Sequence, residues 1–222
     1  MPENRKTGLL IGILYIIGTV SGVLSVAFTG TMENSHEYFI QIASKNIQYM
    51  IGSLFILCMG FSLAFIPIIA YPVLNKQNKT LALSYVVFRG ALETFTYIST
   101  FVCMLALLEI GKNVSELGNI GIIIINLRES ITLATTYVFS IGAFIFYYIL
   151  YQSKLVPNWL SIWGIIAIIS HFITGFLIMF GLQTVMSTAN LIMNFPIILQ
   201  EMVMAIWLII KGFNNKKNEN DV

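Results

Sequence analysis

The sequence predicts an all-α fold: a polytopic membrane protein of six transmembrane helices with both termini cytoplasmic. Three observations carry that prediction. The 222 residues are 57% hydrophobic and only 10% charged, with mean hydropathy +0.84, whereas soluble domains run near 25% charged residues. Six apolar runs, each long enough to cross a hydrocarbon core about 30 Å thick, alternate with polar connections. Lysine and arginine divide unevenly between the two sets of connections. Arg5, Lys6, Lys76, Lys79, Lys154, Lys211, Lys216 and Lys217 fall on one side, against Lys45, Lys112 and Arg128 on the other. Cytoplasmic loops carry the excess of positive charge, so the side with both termini is expected inside.

Residues 1–213 read as a single six-helix transmembrane domain, and 214–222, polar and charged, as a disordered cytoplasmic tail. Span 1 covers 8–29. Its basic start resembles a signal peptide, but the apolar run is long and lacks a clear small-residue cleavage site, so it is expected to remain as the first helix. Gly18-x-x-x-Gly22, beside Ser21 and Ser25, has the spacing that lets two membrane helices approach closely, and packing within the bundle is its expected use. Residues 30–46 turn polar, with Glu33, His36, Glu37 and Lys45 around Tyr38, Phe39 and Ile40, which suits an interfacial loop or short amphipathic helix.

Span 2 covers 47–74, where Pro67 and Pro72 each remove a backbone donor and are expected to bend its second half. The turn at 75–79 is so short that spans 2 and 3 must be antiparallel neighbours. Span 3, 81–108, carries Arg89 and Glu93 near its middle, with Thr96 and Thr100 on the side of Glu93. Hydroxyls so placed are expected to satisfy their own helix backbone. Residues 109–129 are the longest interruption. Their apolar run at 120–127 is too short to span, which leaves an interfacial segment, a re-entrant segment or a membrane-embedded lead into span 4. Span 4, 131–152, closes on Phe144, Phe146, Tyr147, Tyr148 and Tyr151, expected as an interfacial aromatic belt. Span 5, 159–181, holds His171 near its centre; span 6, 189–213, holds Pro196 and Glu201.

At about 1.5 Å per residue, Arg89, Glu93, His171 and Glu201 fall roughly 13–20 Å into their spans, near the bilayer centre. Left unpaired there, three full charges would cost on the order of 8–10 kcal/mol, comparable to the stability of a whole domain. They are therefore expected to share a network. Arg89 would bridge Glu201 and Glu93, the latter four residues away on the same helix face, with His171 as a further donor or proton acceptor. One arginine against two carboxylates leaves one acid in excess, which either holds a proton or attracts a cation. A structural clasp holding spans 3, 5 and 6 together would present the same residues.

Several chemistries are missing. No Gly-x-Ser-x-Gly and no His-Glu-x-x-His occurs, and the only aspartate is Asp221, so rhomboid-like serine, aspartyl and zincin hydrolases fail as pattern matches. The histidines, His36 and His171, are too few for a three-histidine zinc site or a bis-histidine haem in the bundle. Glu93, His171 and Glu201 form an oxygen-rich, histidine-poor donor set that argues little for a metal, and no cofactor is expected. A voltage sensor needs several arginines in one helix, and span 3 has one. Net charge is +2 and dispersed, which sets nucleic acid aside. Cys58 and Cys103 lie at depths about 9 Å apart at 1.5 Å per residue, too far for a bridge.

Three stretches carry a family resemblance: 71–93, from Tyr71-Pro72 through Phe88-Arg89-Gly90-Ala91-Leu92-Glu93; 150–164, with Ser153-x-x-x-Pro157-x-Trp159-Leu160; and 194–213, with Pro196-x-x-x-x-Glu201. Together they resemble the bacterial multi-pass membrane family known as domain of unknown function 4386, over nearly the whole chain. The resemblance implies a bacterial plasma-membrane protein and supplies no activity; His171 is not part of its pattern. The residues themselves favour a cation- or proton-linked module for small-molecule binding or transport. A structural or partner-binding protein is the alternative, and an intramembrane lipid-modifying enzyme ranks below both. Expected partners are the lipid bilayer, a small-molecule, cation or lipid ligand, and further copies of the chain.

Overall fold

The computed structural model describes residues 3–30, 36–185 and 187–214. Glu33 and the expected tail from residue 215, with Lys216 and Lys217, lie outside the described residues, as does the side chain of His36. Among the described residues the chain is helical throughout, with no strand: α1 (Glu3–Thr29), α2 (His36–Ser44), α3 (Asn46–Leu74), α4 (Lys79–Lys112), α5 (Val114–Ser153), α6 (Asn158–Met179) and α7 (Thr188–Ile210). All except α2 are long and apolar enough to cross a membrane, six in all.

The spanning helices form a ring. Each packs against the next in the chain, and α7 closes the circle against α1. The outward faces carry exposed Leu10, Val20, Phe65, Ile166 and Phe195, the surface a bilayer would cover. Gly18 and Gly22 let α1 approach α3: a Cβ on Gly18 would lie 2.9 Å from Leu63 Cδ2, and one on Gly22 2.8 Å from Met59 Sδ. The Phe213 N–H donates to the Asn4 carbonyl at 3.5 Å, so the start of α1 and the end of α7 lie on the same side of the bundle.

Two apolar clusters fill the interior. One gathers Ile11, Leu74, Tyr85, Phe146, Leu155 and Leu208 toward the side of the termini. The other joins Tyr38, Phe39 and Ile42 of α2 to Tyr49, Leu107 and Ile125 on the opposite side, and Met59 and Tyr97 touch both. This pattern makes 36–44 the short amphipathic helix, its apolar face laid on α4 and α5.

Two sequence expectations change here. The interruption at 109–129 is not a separate segment: after a break at Asn113, the helix α5 runs 40 residues from Val114. At about 1.5 Å per residue that is about 60 Å, more than the roughly 40–45 Å of a bilayer with its headgroups, so α5 overhangs the membrane. Residues 114–129 are thus a helical lead into span 4, as one of the three readings has it, but by length an overhanging rather than an embedded one, and α2 covers it with Phe39 and Tyr38. The aromatic belt also divides. Phe144, Tyr148 and Tyr151 are exposed, but Phe146 and Tyr147 are each only 1% accessible. Helical periodicity puts these two on the inner face of α5, where Phe146 stacks on Tyr85 at 4.7 Å between centroids.

Candidate functional site

Arg89 and Glu93 project from α4 into the interior of the ring, their side chains each 1% accessible. Arg89 sits at the centre of a π-helical stretch, Val86–Leu92, whose widened ladder ends where the Glu93 N–H bonds the Phe88 carbonyl, five residues back. Such insertions are rare and concentrate at functional sites. Arg89 Nη1 lies 2.8 Å from both Glu93 Oε1 and Glu93 Oε2, and the Tyr97 hydroxyl donates to Oε1 at 3.1 Å. Across the ring, Arg89 Nη2 reaches Glu201 Oε1 of α7 at 3.5 Å. The guanidinium also lies over the Phe139 ring of α5, 4.4 Å from its centroid, a placement worth about 2 kcal/mol when desolvated. Gly142 on α5 makes room for its stem, because a Cβ there would stand 2.6 Å from Arg89 Cγ.

The two acids are unequally compensated. Glu93 is fully enclosed and takes two short charge-assisted contacts and a hydroxyl. Glu201 receives a single contact at 3.5 Å, the outer limit of hydrogen bonding, and its side chain remains 15% accessible. With both acids ionised the cluster carries one net negative charge. Tyr15, Tyr85 and Tyr147 enclose it, all buried and within electrostatic reach of Arg89 and Glu201. Beside Glu201, Gln200 joins three helices: the Tyr147 hydroxyl of α5 donates to its Oε1 at 2.6 Å, and its Nε2 donates to the Leu160 carbonyl of α6 at 3.1 Å.

His171 stands apart from this cluster, contrary to the expected network. Its Nδ1 pairs with Asn194 Oδ1 at 2.6 Å, and its ring meets Phe139 edge-on at 5.1 Å. Phe139 thus touches both groups, the guanidinium over its ring and the imidazole at a right angle to it. The Thr96 and Thr100 hydroxyls donate to the Glu93 and Thr96 carbonyls at 2.7 and 3.0 Å, as their spacing predicts. Among the described residues no group of three or more His, Cys, Asp or Glu is placed to hold a metal ion. Cys58 and Cys103 are free thiols.

A family model described as domain of unknown function (DUF4386) matches residues 10–212. The chain belongs to the DUF4386 family. No curated protein and no solved structure matches it. In this DUF4386 protein the resemblance-bearing turn between α5 and α6 is a structural hub. Lys154 adopts the left-handed region at φ +56, and the Pro157 carbonyl opens α6 by accepting from the Leu160 N–H at 3.0 Å. Asn214 ties the end of the described chain onto the turn, its N–H on the Leu155 carbonyl at 2.8 Å and its Nδ2 on that of Lys154 at 2.9 Å. Leu160, buried in the same turn, offers its carbonyl to Gln200, next to Glu201.

Tyr97, Phe139, Gly142 and Gln200 are not marked by the sequence as part of this site, and Tyr147 reads there as part of an interfacial belt. Tyr97 follows Glu93 by four residues, so helical spacing was a signal. The other four come together only through packing of α4, α5, α6 and α7.

Proposed function

We propose that this DUF4386 protein is a small binding or transport module of the bacterial plasma membrane in which Glu201 exchanges a proton or takes a cation. The observation that supports this is the unequal treatment of the two acids: Arg89 is spent on Glu93 at 2.8 Å, while Glu201 has one contact at 3.5 Å and keeps 15% accessibility. A carboxylate so placed in a low-dielectric interior is the group whose charge changes at least cost to the rest of the cluster. The eight-to-three division of Lys and Arg supports an orientation with both termini cytoplasmic. Six short-looped helices leave little room for paired transport repeats, so the module works as an oligomer on a small-molecule, cation or lipid ligand.

The test is an imposed proton, sodium or potassium gradient across proteoliposomes, with a pH-sensitive dye inside. The wild-type chain is expected to collapse a gradient that Glu201→Gln holds, with the variant retaining its helical circular dichroism. Equal rates for wild type, Glu201→Gln and empty liposomes would end the proposal. The second reading, a structural clasp, draws on the saturated Arg89–Glu93 pair, which by itself needs no further partner. It predicts no flux from any of the three.

A further inference from the structure

The outward face of α5 carries one uncharged row along most of the helix. Ile120, Ile123 and Leu127 open it, each about half exposed or more, and it continues through Ser130 and Ala134 to Ile141 and Phe144. Successive members are three, four or, once, seven residues apart, so the row keeps a 3.5-residue repeat over more than three heptads. That is the repeat of helices wound around one another, from which a lone straight helix drifts by about 20° per heptad.

Lipid covers only part of this row. On the inner face of its outermost turn, Gly121 lies against α4, where a Cβ would stand 3.1 Å from Ile110 Cγ2. Glu109 and Lys112, on either side of Ile110, form an ion pair at 2.7 Å with both side chains more than half exposed. An exposed ion pair stands outside the hydrocarbon. At about 1.5 Å per residue, Ile120 and Ile123 lie within about 3 Å of Gly121 along the axis, at the level of that pair. Ile123, 64% accessible, therefore faces water or headgroups with no acyl chain to cover it. Nearer the termini, a groove of about 300 Å³ opens between α5 and α6 beside the row, with Ile141 and Phe144 on one wall and Ile168, Ile169 and Phe172 on the other. Its one hydroxyl, that of Ser140, donates to the Thr136 carbonyl at 2.7 Å.

We infer that this row is the seam of a dimer, α5 against the α5 of a second copy, about a two-fold axis along the membrane normal. Copies inserted in the same sense lie parallel, so each member of the row meets its own counterpart at the same level. Because none is charged, every meeting joins apolar or small groups, and the groove receives larger side chains from the other copy's row. A partner of different sequence would have to match the row level by level, whereas a second copy does so by symmetry. The inference rests on the transport reading in one respect, that the module is an oligomer, and uses nothing of Glu201.

The experiment uses the full chain, labelled with one fluorophore at its amino terminus, in liposomes at high lipid excess. Wild type is expected to bleach in two steps. Ile123→Lys adds a charge that water tolerates and a packed seam does not. It should raise the dimer Kd, read from the dimer fraction on dilution into lipid, at least about tenfold, with helical circular dichroism unchanged. In a chain carrying Cys58→Ser and Cys103→Ala, Ile123→Cys should form an intermolecular disulfide under mild oxidation, and Val23→Cys and Val102→Cys, on the outward faces of α1 and α4, should not. Glu201→Gln should dimerise as wild type, so lost flux and lost pairing are read apart. A number of bleaching steps other than two, Ile123→Lys pairing as wild type, or cross-links at Val23 and Val102 as readily as at Ile123 would each overturn the assignment.

Discussion

Arg89→Met removes the only positive charge of the ion cluster while keeping most of its apolar stem. Glu93, with no accessible surface, loses both contacts at 2.8 Å and keeps the Tyr97 hydroxyl at 3.1 Å. Glu201 loses its contact at 3.5 Å, and Phe139 loses the cation on its face. Breaking a buried ion pair from one side costs about 3–5 kcal/mol, because the remaining charge is still buried. The lost cation–π contact adds about 2 kcal/mol, most of which the packing of the new thioether beside Gly142 offsets. The expected destabilisation is therefore about 3–5 kcal/mol. Removing all three charges together, with Arg89→Met, Glu93→Leu and Glu201→Leu, should restore stability to within about 1 kcal/mol of wild type. Reversible unfolding in mixed micelles, followed by circular dichroism, measures both. A loss below about 1 kcal/mol for Arg89→Met, no more than a surface substitution costs, would refute the argument that Glu93 depends on this guanidinium.

Gly142→Ala drives a methyl to 2.6 Å from Arg89 Cγ and should cost about 1–3 kcal/mol, read as a lower thermal midpoint, with Gly142→Ser no better. Gln200→Leu takes away the acceptor of the buried Tyr147 hydroxyl and the side-chain donor to the Leu160 carbonyl and should cost about 1–3 kcal/mol. Adding Tyr147→Phe should then cost less than it does in the wild-type background, a coupling that a double-mutant cycle detects.

Much of this fold is legible from local properties of the chain. The length of an apolar run decides whether it crosses a bilayer, and neither packing nor partners alter that, so the six spans and their short turns follow from the sequence. The glycine pair of α1 declares its use for a similar reason: only a missing side chain lets Leu63 and Met59 come so close. Boundaries depend on packing as well. The polar residues around 109–129 read as an interruption, yet most of them continue α5, because the partner that stabilises the overhang, α2, is recognisable only in three dimensions.

By itself the sequence determined that an arginine and two glutamates would stand at similar depth, since charges spaced along long apolar helices have few other places to go. Only the tertiary structure decided how they share one another. Closure of the ring brings α7 across to α4, a relation between residues 112 positions apart that no local pattern encodes. Arg89, at the centre of the π-helical turn, keeps its short contacts for Glu93 and leaves Glu201 the longer one. The same packing sets guanidinium and imidazole both against Phe139 and gives His171 to Asn194, because which face of a helix meets which neighbour is settled by the fit of all of them at once.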